Sequence, residues 1–202
     1  MDHFENIDCE QTYILEDERA LLRPLQPQDI DHLLPFAIHE PELWKYSLIS
    51  AHGPEGMQLY LNLAIANREE GREYPFIVYD KLKGAYAGCT RFYDIQNAYR
   101  TMQLGYTWYG AGFQGTGLNK HCKYLMLSFA FERLGMERIE FRADNDNARS
   151  VAAMKSLGCK VEGVLRSHLP RRQGGRRDSI ILSILKADWL GGVGAHLRNR
   201  LS

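Results

Sequence analysis

The chain has 202 residues, enough for one domain with a full hydrophobic core and short extensions. Hydrophobic residues make up 45% and charged residues 25%, an ordinary balance for a soluble globular protein. Lys+Arg and Asp+Glu stand at 25 each, so bulk charge argues for neither nucleic acid nor an anionic membrane as partner. The opening MDHFENIDCEQTY is acidic and lacks the apolar core of a signal peptide. No apolar run approaches the length of about 18 residues that a membrane span needs. Cys9, Cys89, Cys122 and Cys159 are scattered with no CxxC spacing, so neither a zinc site nor a disulfide framework is expected. A reducing cytoplasm fits these thiols, and no metal is predicted.

Residues Ala20–Leu25 read as a strand, and Pro27-Gln28-Asp29 then starts a helix running towards His39. Pro41 interrupts the pattern. A second helix is predicted over Pro54–Glu70, with Met57, Leu61 and Ala64/Ile65 at helical spacing and Gly71 as its stop. Strands follow at Tyr74–Tyr79, Ala85–Asp94 and Thr101–Tyr109, with separators short enough for hairpins. In the helix Leu118–Leu134, residues Leu118, Cys122, Leu125/Met126, Phe129/Ala130 and Leu134 make one apolar stripe, which Gly135 ends. Arg138–Ala143 is the next strand, and Asn147 reads as the N-cap of a helix ending near Gly158. Strands at Lys160–His168 and Asp178–Leu185 flank the basic turn PRRQGGRR. The order β-α-α-β-β-β-α-β-α-β-β predicts an α/β (α+β) domain with a mixed, mostly antiparallel sheet and helices on both faces. No repeat or linker divides residues 1–202, so a single domain is expected, with 1–18 as an N-terminal extension and 186–202 as a C-terminal tail.

The stretch Tyr106–Asn119, YTWYGAGFQGTGLN, carries the chemistry. A strand runs into a glycine-rich loop that opens directly into a helix, which presents backbone N–H groups where the helix dipole favours negative charge. No Asp or Glu occurs from Ile95 to Phe131, where about four or five would be expected at the chain's average acid content. Something phosphorylated is the natural guest. Gly110-Ala111-Gly112-Phe113-Gln114-Gly115 matches GxGxxG formally, but the strands before it read as antiparallel, and Glu132, the acid at suitable spacing, lies inside the helix pattern rather than at the end of the next strand. A Walker A loop fails because no Gly-Lys-Ser/Thr follows.

Gln114-Gly115-Thr116-Gly117-Leu118-Asn119 resembles the Gln/Arg-x-x-Gly-x-Gly/Ala loop of the GNAT superfamily of acetyl-CoA-dependent N-acetyltransferases. The likeness runs from about Leu21 to Trp189 and is closest to the ribosomal-protein N-acetyltransferase branch. It includes LLRPL, LGYTW, FAFERLGMERIEFRAD, NARSVAAMKSLGCKVEGVLR and RDSIILSI, with Asn147-x-x-Ser150 before Leu157-Gly158 as a second signature. The resemblance implies that the loop amides hold the pyrophosphate of coenzyme A. It further implies that a bulge parts the fourth strand from the fifth and that pantetheine lies in the gap along the backbone of Trp108 and Tyr109. An N–H near Trp108 would face the acetyl oxygen. Asn147 and Ser150 would hold the pantetheine arm, although Asn147 reads equally as a helix cap alone.

The chain departs from the family at two positions. Where many relatives carry a Glu that assists deprotonation of the amine, this sequence has Gln103; where many place an acidic Tyr, it has Met154. Asp144, just past the fifth strand, is the candidate base or amine-orienting residue, against the plainer reading of a turn carboxylate. His168 could shuttle protons from the sixth strand, against the plainer reading of a surface histidine, and Trp44 and Tyr46 lie where this family shapes its acceptor pocket but read equally as core residues. The arginines Arg166, Arg171, Arg172, Arg176 and Arg177 read as a solvated loop or as a contact for an acidic acceptor. The expected activity is acetyl transfer to a primary amine, a peptide N-terminus or a small amine, in a ternary complex. Acetylation of an antibiotic or polyamine, and coenzyme A binding without catalysis, remain open, as does assembly into a homodimer.

Overall fold

The computed structural model describes residues 4–172 and 174–201. Met1, Asp2 and His3 of the expected extension, Gln173 of the basic turn and Ser202 of the tail lie outside the described residues. The strands are β1 (Leu15–Glu16), β2 (Ala20–Pro24), β3 (Glu73–Asp80), β4 (Ala85–Gln96), β5 (Thr101–Tyr109), β6 (Arg138–Asp144), β7 (Lys160–Pro170) and β8 (Arg176–Leu185). They form one sheet in the order β1-β2-β3-β4-β5-β6-β8-β7. Every neighbouring pair is antiparallel except β5 and β6. Helices α1 (Ile30–His39) and α2 (Gly53–Glu69) link β2 to β3, α3 (Leu118–Ser128) links β5 to β6, and α4 (Ala148–Ser156) links β6 to β7.

The sheet buries both faces. Leu33, Ala37, Leu61 and Ala64 of α1 and α2 pack on Ile77, Cys89 and Trp108. On the opposite face Leu118, Cys122 and Met126 of α3 pack with Leu22, Phe76, Phe92, Leu104 and Ile139. Both helical stripes follow the spacing read from the sequence, because residues three and four apart share one face of a helix.

An extra residue in β5 sets the geometry of the site. Phe92 faces Leu104 and Arg91 faces Gly105, but Cys89 faces Trp108, so three steps along β5 span two along β4. Tyr106 takes up the surplus at φ 48°. Met102, Leu104 and Tyr109 consequently all face α3, while Trp108 turns to α1 and α2. In an unbroken strand Leu104 and Tyr109 would lie on opposite faces. β5 pairs with β6 only from Thr101 to Gln103, against Arg138 to Glu140, and beyond that the strands part.

Three expectations are corrected. The N-terminal extension supplies an eighth strand, β1, which pairs Leu15 with Leu22, and buries Ile7 and Tyr13. Two residues of pairing are too short to show a period-2 pattern. The helix expected over Leu118–Leu134 is α-helical only to Ser128, and its final turn, Phe129–Arg133, is π-helical. The C-terminal tail carries helices that the sequence reading did not assign: α5 (Lys186–Asp188), a π-helical turn (Trp189–Val193) and α6 (Gly194–Arg198), which bury Trp189 and Leu197. Gly191, Gly192 and Gly194 interrupt its apolar spacing and hide the helices from a periodicity argument.

Gly88 holds β4 against the bulged strand at φ +152°, where a Cβ would sit 2.1 Å from the Trp108 carbonyl oxygen and 2.9 Å from the Tyr109 Cα. Neither neighbour is a side chain that could move aside. Gly88→Ala is therefore expected to destabilise the protein by about 3 kcal/mol or more. Urea unfolding of the purified variant checks this, and a midpoint equal to that of the unaltered protein would refute the β4–β5 register.

Candidate active site

Where β5 and β6 part, a cleft of about 800 Å³ opens through the sheet. Thr107, Trp108 and Tyr109 form one wall, and Phe141, Ala143 and Asp144 the other. Lys123 of α3 and Met154 of α4 close it on one face of the sheet, and Trp44, Tyr46 and Tyr60 close it on the other. The volume falls within the range usual for sites that enclose a small molecule.

At one end of the cleft lies the glycine loop. Gly115 (φ +72°) and Gly117 (φ +90°) adopt left-handed backbone, and a Cβ on either would meet nothing within 4 Å. They are required for the turn and not for packing. Among the described residues no acceptor serves the N–H groups of Gly115, Thr116, Gly117, Leu118 or Asn119. Lys120 N–H is the first in this run to be paired, to Gly117 O at 2.9 Å. Gln114 does not point at this cradle. Its Nε2 donates to Tyr109 O at 2.7 Å and its Oε1 accepts from Arg149, which ties the loop to β5 and to α4. Thr116 Oγ1 donates to Phe113 O at 2.8 Å, and Leu118 is buried at the start of α3. The Oδ1 of Asn119 is buried without a partner. Donors at a helix N-terminus with no carboxylate in the loop suit a diphosphate, so the residues present fit coenzyme A.

Along the cleft wall, the Trp108 ring contributes to packing: it meets Trp44 edge-on at 4.9 Å, and its Nε1 donates to Tyr60 Oη at 3.2 Å. Tyr109 is buried beside Cys122, and burial raises its hydroxyl pKa well above 10. Asn147 caps α4, its Oδ1 accepting the Ser150 N–H at 3.1 Å, so the capping reading holds and both residues line the cleft. Asp144 is buried at the end of β6. Its Oδ1 accepts from Asp146 N at 3.0 Å and from Arg171 at 3.1 Å, while no described contact engages its Oδ2. It is at once a turn carboxylate and a cleft residue.

The arginine cluster divides. Arg171 pairs with Asp144 and Asp146, and Arg177 is buried against Ser179 and lines the cleft; burial lowers its pKa. Arg166, Arg172 and Arg176 are exposed. His168 reaches the cleft, with Nδ1 3.0 Å from Ser179 Oγ. Trp44 is buried with its Nε1 unpartnered, and Tyr46 donates to Asp146 O at 3.3 Å. Gln103 is buried, and its Nε2 donates to Asp94 Oδ2 at 2.8 Å.

Lys123 escaped the sequence reading. It is buried at the bulge, and its Nζ donates to Thr107 Oγ1 at 2.6 Å and Thr90 Oγ1 at 3.1 Å. Burial pulls its pKa from 10.5 down to about 7, with Cys122 and Cys159 opposing the change weakly. Position 123 precedes buried Met126 and Leu127 by three and four residues, so a lysine there falls on the flank of the apolar stripe. That placement was the available signal, masked because long lysine side chains commonly carry their charge out to water. Burial pushes the thiols of Cys122 and Cys159 up to about 12, so both stay protonated and are poor nucleophiles.

Residues 19–160 match the family profile described as the acetyltransferase (GNAT) domain. The chain is 25% identical over 182 residues to YdaF of Bacillus subtilis (strain 168), provisionally named a ribosomal N-acetyltransferase, covering 87% of this chain and 96% of that protein. A provisionally assigned acetyltransferase from T. thermophilus superposes with a TM-score of 0.83 at 28% identity over 100% of both chains. Mycobacterium smegmatis RimJ, solved in complex with CoA-disulfide, shares the fold at a TM-score of 0.75 and 21% identity, covering 94% of this chain and 93% of its own. With its parted β5 and β6 and its glycine loop opening α3, the chain belongs to the GNAT family of acetyltransferases.

Proposed function

We propose that residues 1–202 act as a single-domain N-acetyltransferase that moves the acetyl group of acetyl-CoA to a primary amine, with a protein or peptide N-terminus as the acceptor class. The observation that carries this reading is the run of unaccepted N–H groups from Gly115 to Asn119 at one end of the cleft between β5 and β6. Acetyl-CoA supplies an activated thioester. The loop amides hold its diphosphate, the backbone from Trp108 to Tyr109 and the α4 start at Asn147 and Ser150 line its pantetheine arm, and no metal is needed. All four cysteines are free, which accords with a cytoplasmic site of action.

Attack by the amine is direct. Cys122 and Cys159, the thiols nearest to Lys123 in their effect on its charge, are held as neutral thiols and cannot relay the acyl group. Asp144 meets the incoming amine through Oδ2, since Arg171 and Asp146 engage Oδ1. A peptide α-amino group, with an ordinary pKa of about 7.7–8.0, is roughly a tenth free base at pH 7, far more than a lysine side chain of pKa about 10.4, and so needs less help from a strong base. Gln103 cannot supply one. The name carried by YdaF favours a ribosomal protein terminus within this class.

Titration calorimetry with coenzyme A, followed by thiol-release assays against peptides with free N-termini, polyamines and aminoglycosides, tests the assignment. Turnover with peptides is the expected result. Turnover with an antibiotic or polyamine alone would move the acceptor class, and binding without any turnover would make the chain a coenzyme A-binding module. Thr116→Asp places a carboxylate among the loop amides without touching a glycine φ, and is expected to weaken coenzyme A binding about tenfold or more. Undiminished affinity would displace the diphosphate from this loop. Asp144→Asn is expected to lower kcat/KM for the peptide about tenfold while leaving coenzyme A affinity unchanged; equal kinetics would remove Asp144 from the acceptor site.

A further inference from the structure

Met154 stands where many relatives place an acidic tyrosine, so the departing sulfur lacks its usual proton source. Lys123 closes the same face of the cleft as Met154, one from α3 and one from α4. Its Nζ is fixed by the hydroxyl of Thr107, in the bulge itself, and by that of Thr90, which lie 2.8 Å apart. An ammonium carries three donors, so two hydroxyl acceptors leave one N–H for the cleft. We propose that the Lys123 ammonium is the proton donor to the thiolate that leaves acetyl-CoA, a role that rests on the acetyltransferase reading above.

In this step the acceptor nitrogen bonds to the acetyl carbon, the carbon–sulfur bond breaks, and its electron pair stays on sulfur. Lys123 gives that sulfur a proton, which leaves a free thiol and a neutral amine. The acceptor nitrogen sheds its surplus proton to water, and Lys123 takes one back from water. Among the described residues, the groups that act on Nζ are Thr90 on β4, Thr107 on β5, Cys122 on its own helix α3 and Cys159 before β7. No carboxylate is among the groups that act on it. An ammonium titrating near 7 is a stronger acid than a thiol of ordinary pKa, about 8.5, so the transfer runs downhill. Acylation of Lys123 itself would end in a stable amide with no onward route, which disfavours a nucleophilic role.

The test compares the intact protein with Lys123→Met, an apolar side chain of similar length. At pH 6, where Lys123 is the ammonium, calorimetry with coenzyme A and with desulfo-coenzyme A reads whether Nζ faces the sulfur. The unaltered protein is expected to prefer coenzyme A severalfold and Lys123→Met to bind both equally. A protein that does not distinguish the two ligands, or a variant that keeps the preference, overturns the proposal and leaves the acetyltransferase reading standing. Failure of coenzyme A itself to bind sinks both. With an acceptor from the peptide panel, Lys123→Met is expected to lose about a hundredfold in kcat, with KM for acetyl-CoA little changed, and to lose the fall in kcat above neutrality. An acetyl adduct on Lys123 in intact-protein mass spectra would show a nucleophile and refute the assignment. Stability supplies a readout independent of turnover. The unfolded chain keeps this proton up to about 10.5 and the folded one only to about 7, so the part of the stability owed to Lys123 rises with pH between those values and is flat below them, opposed above about 9 by the thiols that burial keeps protonated. Lys123→Met is expected to fold and to lack that rise; a variant whose stability still climbs over this window removes the depressed lysine from the account.

Discussion

The one constraint on which the site depends is the surplus residue in β5. A strand that turns over one position too early reverses the faces of everything beyond it, and here the reversal is useful. It sends Trp108 into the α1–α2 core, keeps Tyr109 with α3 and places the Thr107 hydroxyl beneath Lys123. It also ends the pairing of β5 with β6 after Gln103, so the two strands separate and leave backbone groups facing a cleft. Gly88 is the complement on β4, since only a residue without a Cβ tolerates the approach of the Trp108 carbonyl. A local defect in one ladder thus produces the opening on which GNAT chemistry is built.

Electrostatics along this opening are graded. The end nearest the glycine loop is lined by amide donors, without a single acidic side chain from Ile95 to Phe131. In the middle, burial keeps Tyr109, Cys122 and Cys159 in their neutral forms and leaves Lys123 balanced between ammonium and amine near neutrality, so that stretch carries at most one charge. The far end carries Asp144, Asp146, Arg171 and Arg177. Under the function proposed above, an anionic carrier entering at one end and an amine at the other would each meet complementary groups.

The far end is also where separate parts of the chain are tied together. Arg171, from the turn after β7, grips Asp144 at the end of β6 and Asp146 beyond it. Tyr46, from the connection between α1 and α2, donates to the carbonyl of Asp146. Three chain segments therefore meet on the residues that lead into α4. Behind the wall, buried Arg91 pairs with Glu73 at 2.6 Å and lies 4.3 Å from the Tyr106 ring centroid, which backs the bulge with a rigid polar cluster.

The sequence by itself determined the periodic and the chemical features: the helical stripes, most of the strands, the anion-suited loop and the cap at Asn147. Each depends on residues a few positions apart, where backbone sterics and local hydrogen bonds decide the outcome. It also named Asp144, Trp44 and Tyr46 as neighbours of the cleft, through likeness to a family whose fold supplied the long-range contacts. Tertiary structure alone decided the bulge register, the short β1 pairing, the glycine-broken C-terminal helices and the burial of Lys123. Those follow from which distant segments pack together, and a lysine beside an apolar stripe reads the same in sequence whether its charge reaches water or is trapped beneath Thr107.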